Sequence, residues 1–265
     1  EGLLPAPQAD DMSHLLVEIL DRDFAQPFAV PSIAIEPLQY SWDVLGGPRQ
    51  ASLRASGPNV EIWELLEWLR APVRILDAER GNEAVWWGYV SDVQIVSGAI
   101  SVGASLDKMF NKVAVAYSLV APGSQTVGNR ATTTYTSDST SVAEYGTKEL
   151  LQSLSGATAA AADNLRDLLL AQFKFPIPVV RMSGGAEGVS AEIQCEGWSK
   201  TLDWRYYTNT NTASIVTTQQ VIDIEAAIGE FLTGVDIINA SGLSTSEYRD
   251  GDSKAWDLIL ELLAL

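Results

Sequence analysis

Between residues 15 and 120, short apolar runs alternate with turn residues at close spacing, and no other feature constrains the fold as much. Period-two alternation puts successive side chains on opposite faces of a strand. The runs His14–Leu20, Phe28–Ile35, Tyr40–Leu45, Arg49–Ala55, Val73–Leu76, Ala84–Val96, Ile100–Ala104 and Val113–Leu119 read as strands. Pro31 bends the second run or places it at a sheet edge. Gly46-Gly47-Pro48 makes a hairpin of 40–55, and Gly81-Asn82 and Gly98 turn the chain again. One helix interrupts the series: Asn59 can cap Val60–Arg70, with Ile62, Leu65, Leu66 and Leu69 on one face and Pro72 as its stop. About eight short strands around one helix suit a small barrel or sandwich.

Beyond residue 120 the composition shifts. Residues 121–146 are rich in Gly, Ser and Thr and read as a linker or extended β arm, with a capping box at Ser141–Glu144. Helical sequence fills 147–173, with Leu165, Leu168, Leu169 and Gln172 at helical spacing and an alanine run at 159–162. Pro176 and Pro178 end it. Ile177–Met182, Val189–Cys195 and Asp203–Tyr207 read as strands of a second, smaller β domain, so 147–212 is a helix plus that domain. Thr217-Thr218-Gln219-Gln220 opens a helix to Leu232, and Asp252 or Ser253 can cap another over Lys254–Leu265. Residues 213–265 are thus a helical segment, and 1–14 a loose N-terminal arm. The fold class expected is mainly β (α+β), with two small barrel or sandwich domains and connecting helices. The chain opens on Glu1 and stops on the apolar run Leu258–Leu265, so both ends read as cut and a further C-terminal region is expected.

The charge balance excludes several functions. There are 34 acidic residues against 17 Lys plus Arg, a net charge of -17. Arg49, Arg54, Arg70, Arg74 and Arg80 are scattered singly, whereas a nucleic-acid surface clusters its cations to neutralise phosphates. Sequence-specific nucleic-acid binding is therefore not expected, and anionic membranes would repel the surface. No window holds the run of apolar residues that a membrane span needs, and 1–14 lack the pattern of a signal peptide.

Catalytic groups are sparse. With one cysteine, Cys195, and one histidine, His14, zinc sites of the usual kinds are excluded. Cys195 sits in a strand-like run where a small buried residue is the ordinary outcome. Phosphate-cradling glycine loops and the G-x-S-x-G nucleophile turn are absent. Glu61, Glu64 and Glu67 read as the wet face of a helix. Asp250-Gly251-Asp252 opens like a calcium loop, but Lys254 stands where a ligand is needed and Ala255 where Gly is needed. It reads instead as a turn leading into a helix, and Asp21-Arg22-Asp23 also reads as a turn. No catalytic, cofactor-binding or metal residue is assigned, and the chain is not expected to be an enzyme.

Several stretches, taken in order, resemble the baseplate hub, or tail-tip, proteins of tailed bacteriophages and related contractile injection systems. They are Trp87-Gly88-Tyr89-Val90-Ser91-Asp92-Val93; Ser105 to Tyr117; Ser141 to Glu149, of the form S-x-x-x-Y-G-x-K-E; Cys195 to Tyr206; and Tyr248 to Asp257. Together they span about residues 85–265, and strands clear enough for a second barrel are few. The resemblance implies two tube-like barrel domains per chain, the first over 15–120. It also implies a homotrimeric ring that continues the tail tube in the virion, assembled in the host cytoplasm. Its partners would be the tail tube or distal tail protein, the tape-measure protein, and fibre or spike proteins, with DNA passing through the lumen. A ring of three would set roughly three times -17 around one axis, and acids on the lumen wall would repel DNA phosphates.

The 40–55 hairpin edge and the aromatic residues offer interface anchors. Candidate interface aromatics are Trp86, Trp87, Tyr89, Trp198 and Trp204, with Trp87 and Tyr89 on one strand face and Trp86 on the other. Two other readings stand beside the hub. One is a carbohydrate-binding or cell-wall-hydrolysing module of a virion tip, and the other is a tail-tube or adaptor subunit.

Overall fold

A computed structural model describes residues 12, 14–27, 32–43, 47–120, 127–209, 214–232, 244–246 and 249–263. The expected arm 1–14 lies outside these residues apart from Met12 and His14. So do 28–31 of the second run, 44–46 of the hairpin, 121–126 of the expected linker and 247–248 of the last resembling stretch.

The strands in chain order are β1 (Leu15–Ile19), β2 (Ala34–Asp43), β3 (Gly47–Ser56), β4 (Pro72–Asp77), β5 (Glu83–Ser105), β6 (Lys112–Val120), β7 (Val127–Thr132), β8 (Thr136–Ser137), β9 (Glu149–Ala157), β10 (Val179–Glu196), β11 (Tyr206–Asn209), β12 (Ser214–Val216), β13 (Ser244–Ser246) and β14 (Arg249–Lys254). The helices are α1 (Asn59–Glu64), α2 (Ser139–Tyr145), α3 (Ala159–Phe173), α4 (Thr217–Ile228) and α5 (Ala255–Leu263). The protein is mainly β, as its alternation predicts.

Two compact units share the chain, and neither is continuous: 1–108 with 176–199, and 109–175 with 200–265. The expected contiguous domains are therefore redrawn. Strand β10, assigned from sequence to a second β domain, pairs with β3 and β5 of the first unit. Strand β6, assigned to the first domain, pairs with β7, β8 and β9 of the second unit. Pairing across so much sequence leaves no local signature, whereas each strand's own alternation does.

In the first unit six antiparallel strands run in the order β1-β4-β5-β10-β3-β2 and curl into a half-barrel. The end strands β1 and β2 come into contact without forming a ladder. Alternation sorts the faces. Ile35, Ala55, Ala191 and Ile95 share one cross-strand row, and Leu53, Ile193 and Val93 another. Of these, Leu53, Ala55, Val93, Ile95, Ala191 and Ile193 are fully enclosed. The row between them, Glu36, Arg54, Glu192 and Gln94, is exposed. Helix α1 and the 3-10 turn Leu65–Trp68 cover the apolar face with Ile62, Leu65, Trp68 and Leu69. Each large side chain buried there contributes about 1.5–3 kcal/mol.

Local differences from expectation have local causes. Pro58, not Asn59, occupies the N-cap of α1, with no side-chain cap. Proline's fixed φ suits the entry, so Asn59 becomes the first helical residue. Strand β5 reverses at Gly98, as its sequence suggests: φ is +59° there, and the Leu106 amide returns to the Ser91 carbonyl at 2.9 Å. Strand β10 pairs with both halves of β5, with register shifts between Met182 and Val189. It is thus one strand where the sequence suggests two.

In the second unit the sheet is β7-β6-β8, with β9 parallel to β6. The described part of the expected linker is therefore structured, as β7, β8 and α2. The first half of the expected 147–173 helix is β9. Leu150, Leu151 and Leu154 fit a helical face as well as a strand, and pairing to β6 decides between them. Helix α3 starts where the Thr158 hydroxyl accepts the Ala161 amide at 3.2 Å. It packs on Val115 and Tyr117 through Ala162 and Leu165, while Leu168 is exposed. Asp138 rather than Ser141 caps α2, accepting the Ser141 amide at 3.0 Å. Residues 198–204, expected to include the start of a strand, form a 3-10 turn instead. Helices α4 and α5 close a separate cluster of Val221, Ile224, Ile228, Leu258, Ile259 and Leu262.

Two glycines of the resembling stretches sit where no side chain fits. A Cβ on Gly88 would stand 2.1 Å from the Glu196 carbonyl oxygen, and one on Gly197 would stand 1.7 Å from that of Pro48. Gly88→Ala and Gly197→Ala are each expected to lower unfolding free energy by clearly more than about 1 kcal/mol. Gly81→Ala, at φ +70° with open space around it, is expected to lose only roughly 1 kcal/mol from left-handed strain. Urea midpoints compare the three, and equal losses would refute the close-approach account.

Candidate functional site

Within the first unit, Trp86–Val90 on β5 meets Cys195–Trp198 at the end of β10. The ladder skips one residue: Gln194 faces Asp92 while Cys195 faces Val90. Ser91 is left unpaired in the bulge, and its hydroxyl donates to the Gln194 carbonyl at 3.1 Å. The Tyr89 hydroxyl donates to Glu196 Oε2 at 2.8 Å. Trp198 covers the Tyr89 ring at 5.0 Å between centroids, and Phe24 lies 5.3 Å from Trp198. Phe24 reaches it from the Asp21–Phe24 turn, in which Asp21 accepts the Ala25 amide at 2.7 Å. Asp92, beside this joint, has its carboxyl raised chiefly by burial, with Asp107 adding to the rise.

The aromatic residues singled out from sequence play different parts. Trp86 and Tyr89 are fully enclosed. The period-two reading places Tyr89 on the face of Trp87, and Trp198 is what shields it there. Trp198 is half-buried. Trp204, in the other unit, is 4% exposed against Phe231. Of the five, Trp87 presents a large ring outward, at 41% exposure. Trp42, a residue the sequence reading did not single out, meets it edge-on at 5.1 Å and is 45% exposed. The Trp42 indole N–H donates to the Val85 carbonyl at 2.9 Å, which fixes the pair.

Within the second unit the remaining resembling stretches converge. Asn111, fully buried, donates to the Gly146 carbonyl at 2.7 Å and the Ser141 hydroxyl at 3.2 Å, and accepts the Lys148 amide at 2.8 Å. Ser141 in turn donates to the Lys174 carbonyl. Gly146, at φ +82°, makes the turn that brings Lys148 and Glu149 inward. The Lys148 ammonium sits 5.4 Å from the Phe110 ring and 5.5 Å from that of Trp204, in cation–π contact with both.

Glu149, 4% exposed, is the centre of this cluster. Its Oε1 is 2.8 Å from Lys112 Nζ and 3.8 Å from Arg205 Nε, and its Oε2 accepts the Tyr206 amide at 2.8 Å. Its carbonyl accepts from Lys254 Nζ at 3.1 Å, and that ammonium lies 3.8 Å from the Tyr206 ring centroid. Burial, then neighbouring Lys148, pulls Lys254 down to about 8 against the opposing pull of Glu149, Asp203 and Asp257. Sequence reading missed Lys148 and Glu149 as a site. Their one signal was a Lys-Glu pair shortly after a glycine, followed by an uncharged run over 150–162.

The groups weighed for catalysis stay apart. Cys195 is buried, and burial followed by Glu196 pushes its thiol well above the usual range. His14 Nε2 lies 3.9 Å from Asp77. Glu64 and Glu67 are exposed, as a wet helix face requires, whereas Glu61 is half-buried with its Oε2 enclosed. The expected turn at Asp250–Asp252 is strand instead: β14 pairs with β11 up to Lys254, and α5 begins at Ala255. Among the described residues no group of acidic, His and Cys side chains could hold a metal ion.

Glu149→Ala strands two cations beside one another and is expected to cost about 3 kcal/mol, towards the low end because Lys112 and Arg205 keep some solvent access; chemical denaturation checks it. The unfolded chain keeps the Lys254 proton up to its ordinary value of 10.5, whereas the folded chain releases it near 8. The unfolded state then binds more protons in that window, so stability is expected to rise with pH across it. Lys254→Met should flatten the rise, and an unchanged slope would refute the assignment. Comparison with protein-family models, with curated proteins and with solved structures finds no match for this chain.

Proposed function

We propose that the chain is a structural subunit of a phage tail tip, a baseplate-hub ring protein that continues the tail tube. One observation carries the reading. The separated stretches that resemble tail hubs form the Tyr89–Glu196 joint in one unit and the Asn111–Glu149 cluster in the other. Residues spent on holding a scaffold are what a structural subunit needs, and the resemblance rests on those residues rather than on reactive groups. The curled antiparallel half-barrel of the first unit suits a tube-like domain, and the second unit, also β-rich, would supply the other. In a ring of three, the exposed Trp42–Trp87 pair is an anchor of the kind that interfaces favour. The acidic surface lets DNA pass without holding it.

Light scattering on purified protein is expected to give three times the 28.6 kDa of one chain, with rings in negative-stain micrographs. Trp87→Ser should shift the population towards monomer while leaving the fold intact, because the ring is not part of the core. A monomer at high concentration that adds nothing to tail-tube protein would sink the reading. Retention of DNA at low ionic strength would sink its account of the charge.

A further inference from the structure

In the first unit the ladder between β5 and β10 runs from Tyr89↔Glu196 at one end to Gly103↔Val179 at the other. Near the second end the pairs are Val102↔Val180 and Ile100↔Met182. Cross-strand partners share a face, and so do residues two apart along a strand. These four apolar side chains therefore stand together. The opposite face of β5 turns to the body: Ser101 is buried, and a Cβ on Gly103 would stand 3.4 Å from the Val93 carbonyl oxygen. The apolar face is the outward one, with Met182 83% exposed, Val180 66% and Ile100 46%. Elsewhere on this sheet the outward row of Glu36, Arg54, Glu192 and Gln94 is polar. Apolar side chains grouped outward in paired rows mark a contact surface.

Charge points to what covers it. Copies of a chain of net charge -17 repel wherever their acids meet. Residues 93–106 carry no charge, and 175–182 carry one, the positive Arg181. A second copy can approach this face without meeting like charge, and Arg181 beside it favours an acidic surface. The exposed Trp42–Trp87 pair lies on such a surface, just past the other end of the same ladder. Asp43 follows Trp42, and Glu83 lies two residues before Val85, whose carbonyl holds the Trp42 indole; both acids are exposed. The apolar face meeting its own copy would join chains in twos, whereas a ring of three needs two different surfaces per chain, met head to tail.

We propose that the face formed by Ile100, Val102, Val180 and Met182 in one copy receives the Trp42–Trp87 pair of the next copy. This contact rests on the ring reading and supplies the surface on which its aromatic anchor docks.

Light scattering and cross-linking on the full chain test it. Met182→Glu sets an acid on the face without touching the core. It is expected to shift the mass from three chains towards one while leaving the thermal midpoint unchanged. Leu168→Glu adds the same charge at a 62% exposed position on α3, in the other unit, and should leave the mass at three chains. Met182→Cys and Arg74→Cys report the pairing itself. Arg74 stands opposite Trp87 across β4 and β5, and the native Cys195 is buried. A short bismaleimide is expected to join the two variants to each other when they are co-expressed, and neither to itself when expressed alone. Met182→Cys joined to itself, no link in the co-expressed pair, or a parental mass for Met182→Glu would overturn the contact. Equal dissociation by Leu168→Glu would overturn it too, by reducing the effect to added charge. If the parent is three chains, any of these results removes the contact and leaves the ring standing, whereas a parent of one chain sinks both.

Discussion

The buried carboxylate of Glu149 ties together segments of its unit that lie far apart in sequence. It joins β6 through Lys112 and the start of β11 through Arg205 and the Tyr206 amide, while the backbone carbonyl of the same residue takes Lys254 from the end of β14. A carboxylate taken this far from water is tolerable only when cations and amide donors surround it. Those partners come from segments far apart in sequence, so the cluster forms only once the unit has closed. The same dependence explains Lys254, whose charge is penalised by burial and supported by the acids around it.

The first unit solves a different problem. Its sheet must curl, and β10 must run close against β5 and β3 to complete it. Backbone approaches at Gly88 and Gly197 leave no space for a Cβ, and the bulge at Ser91 lets the ladder slip by one residue there. The aromatic stack of Phe24, Trp198 and Tyr89 then seals the outer side of the same corner. Glycine and aromatic side by side are thus one device: the glycine permits approach and the ring fills the space around it. In this chain the W-G-Y and E-G-W stretches build that geometry.

The two units share a plan. In each, polar groups from distant segments meet at one buried point, while apolar alternation supplies the bulk of the burial. Cys195 is buried, and His14 lies 3.9 Å from Asp77. The cavity beside Glu149 is lined by the charged groups of that cluster, Lys112, Arg205 and Glu149.

The sequence by itself determined the β class, the hairpin of β2 and β3, the reversal at Gly98, the alanine-rich start of α3 and the burial of Cys195. Each follows from a property of a few neighbouring residues: alternation, a turn residue, a propensity or an isolated thiol. Only the tertiary structure decided that β10 belongs with β5 and β3 and that residues 149–157 are strand. It also decided that Tyr89 and Trp204 are enclosed and that Lys148 and Glu149 form a buried cluster. Those outcomes depend on partners about 30 to 150 residues away, and the free energy of a strand edge or a buried charge is set by its partner. Local pattern therefore reports which segments can be strands, and packing alone selects which strands meet.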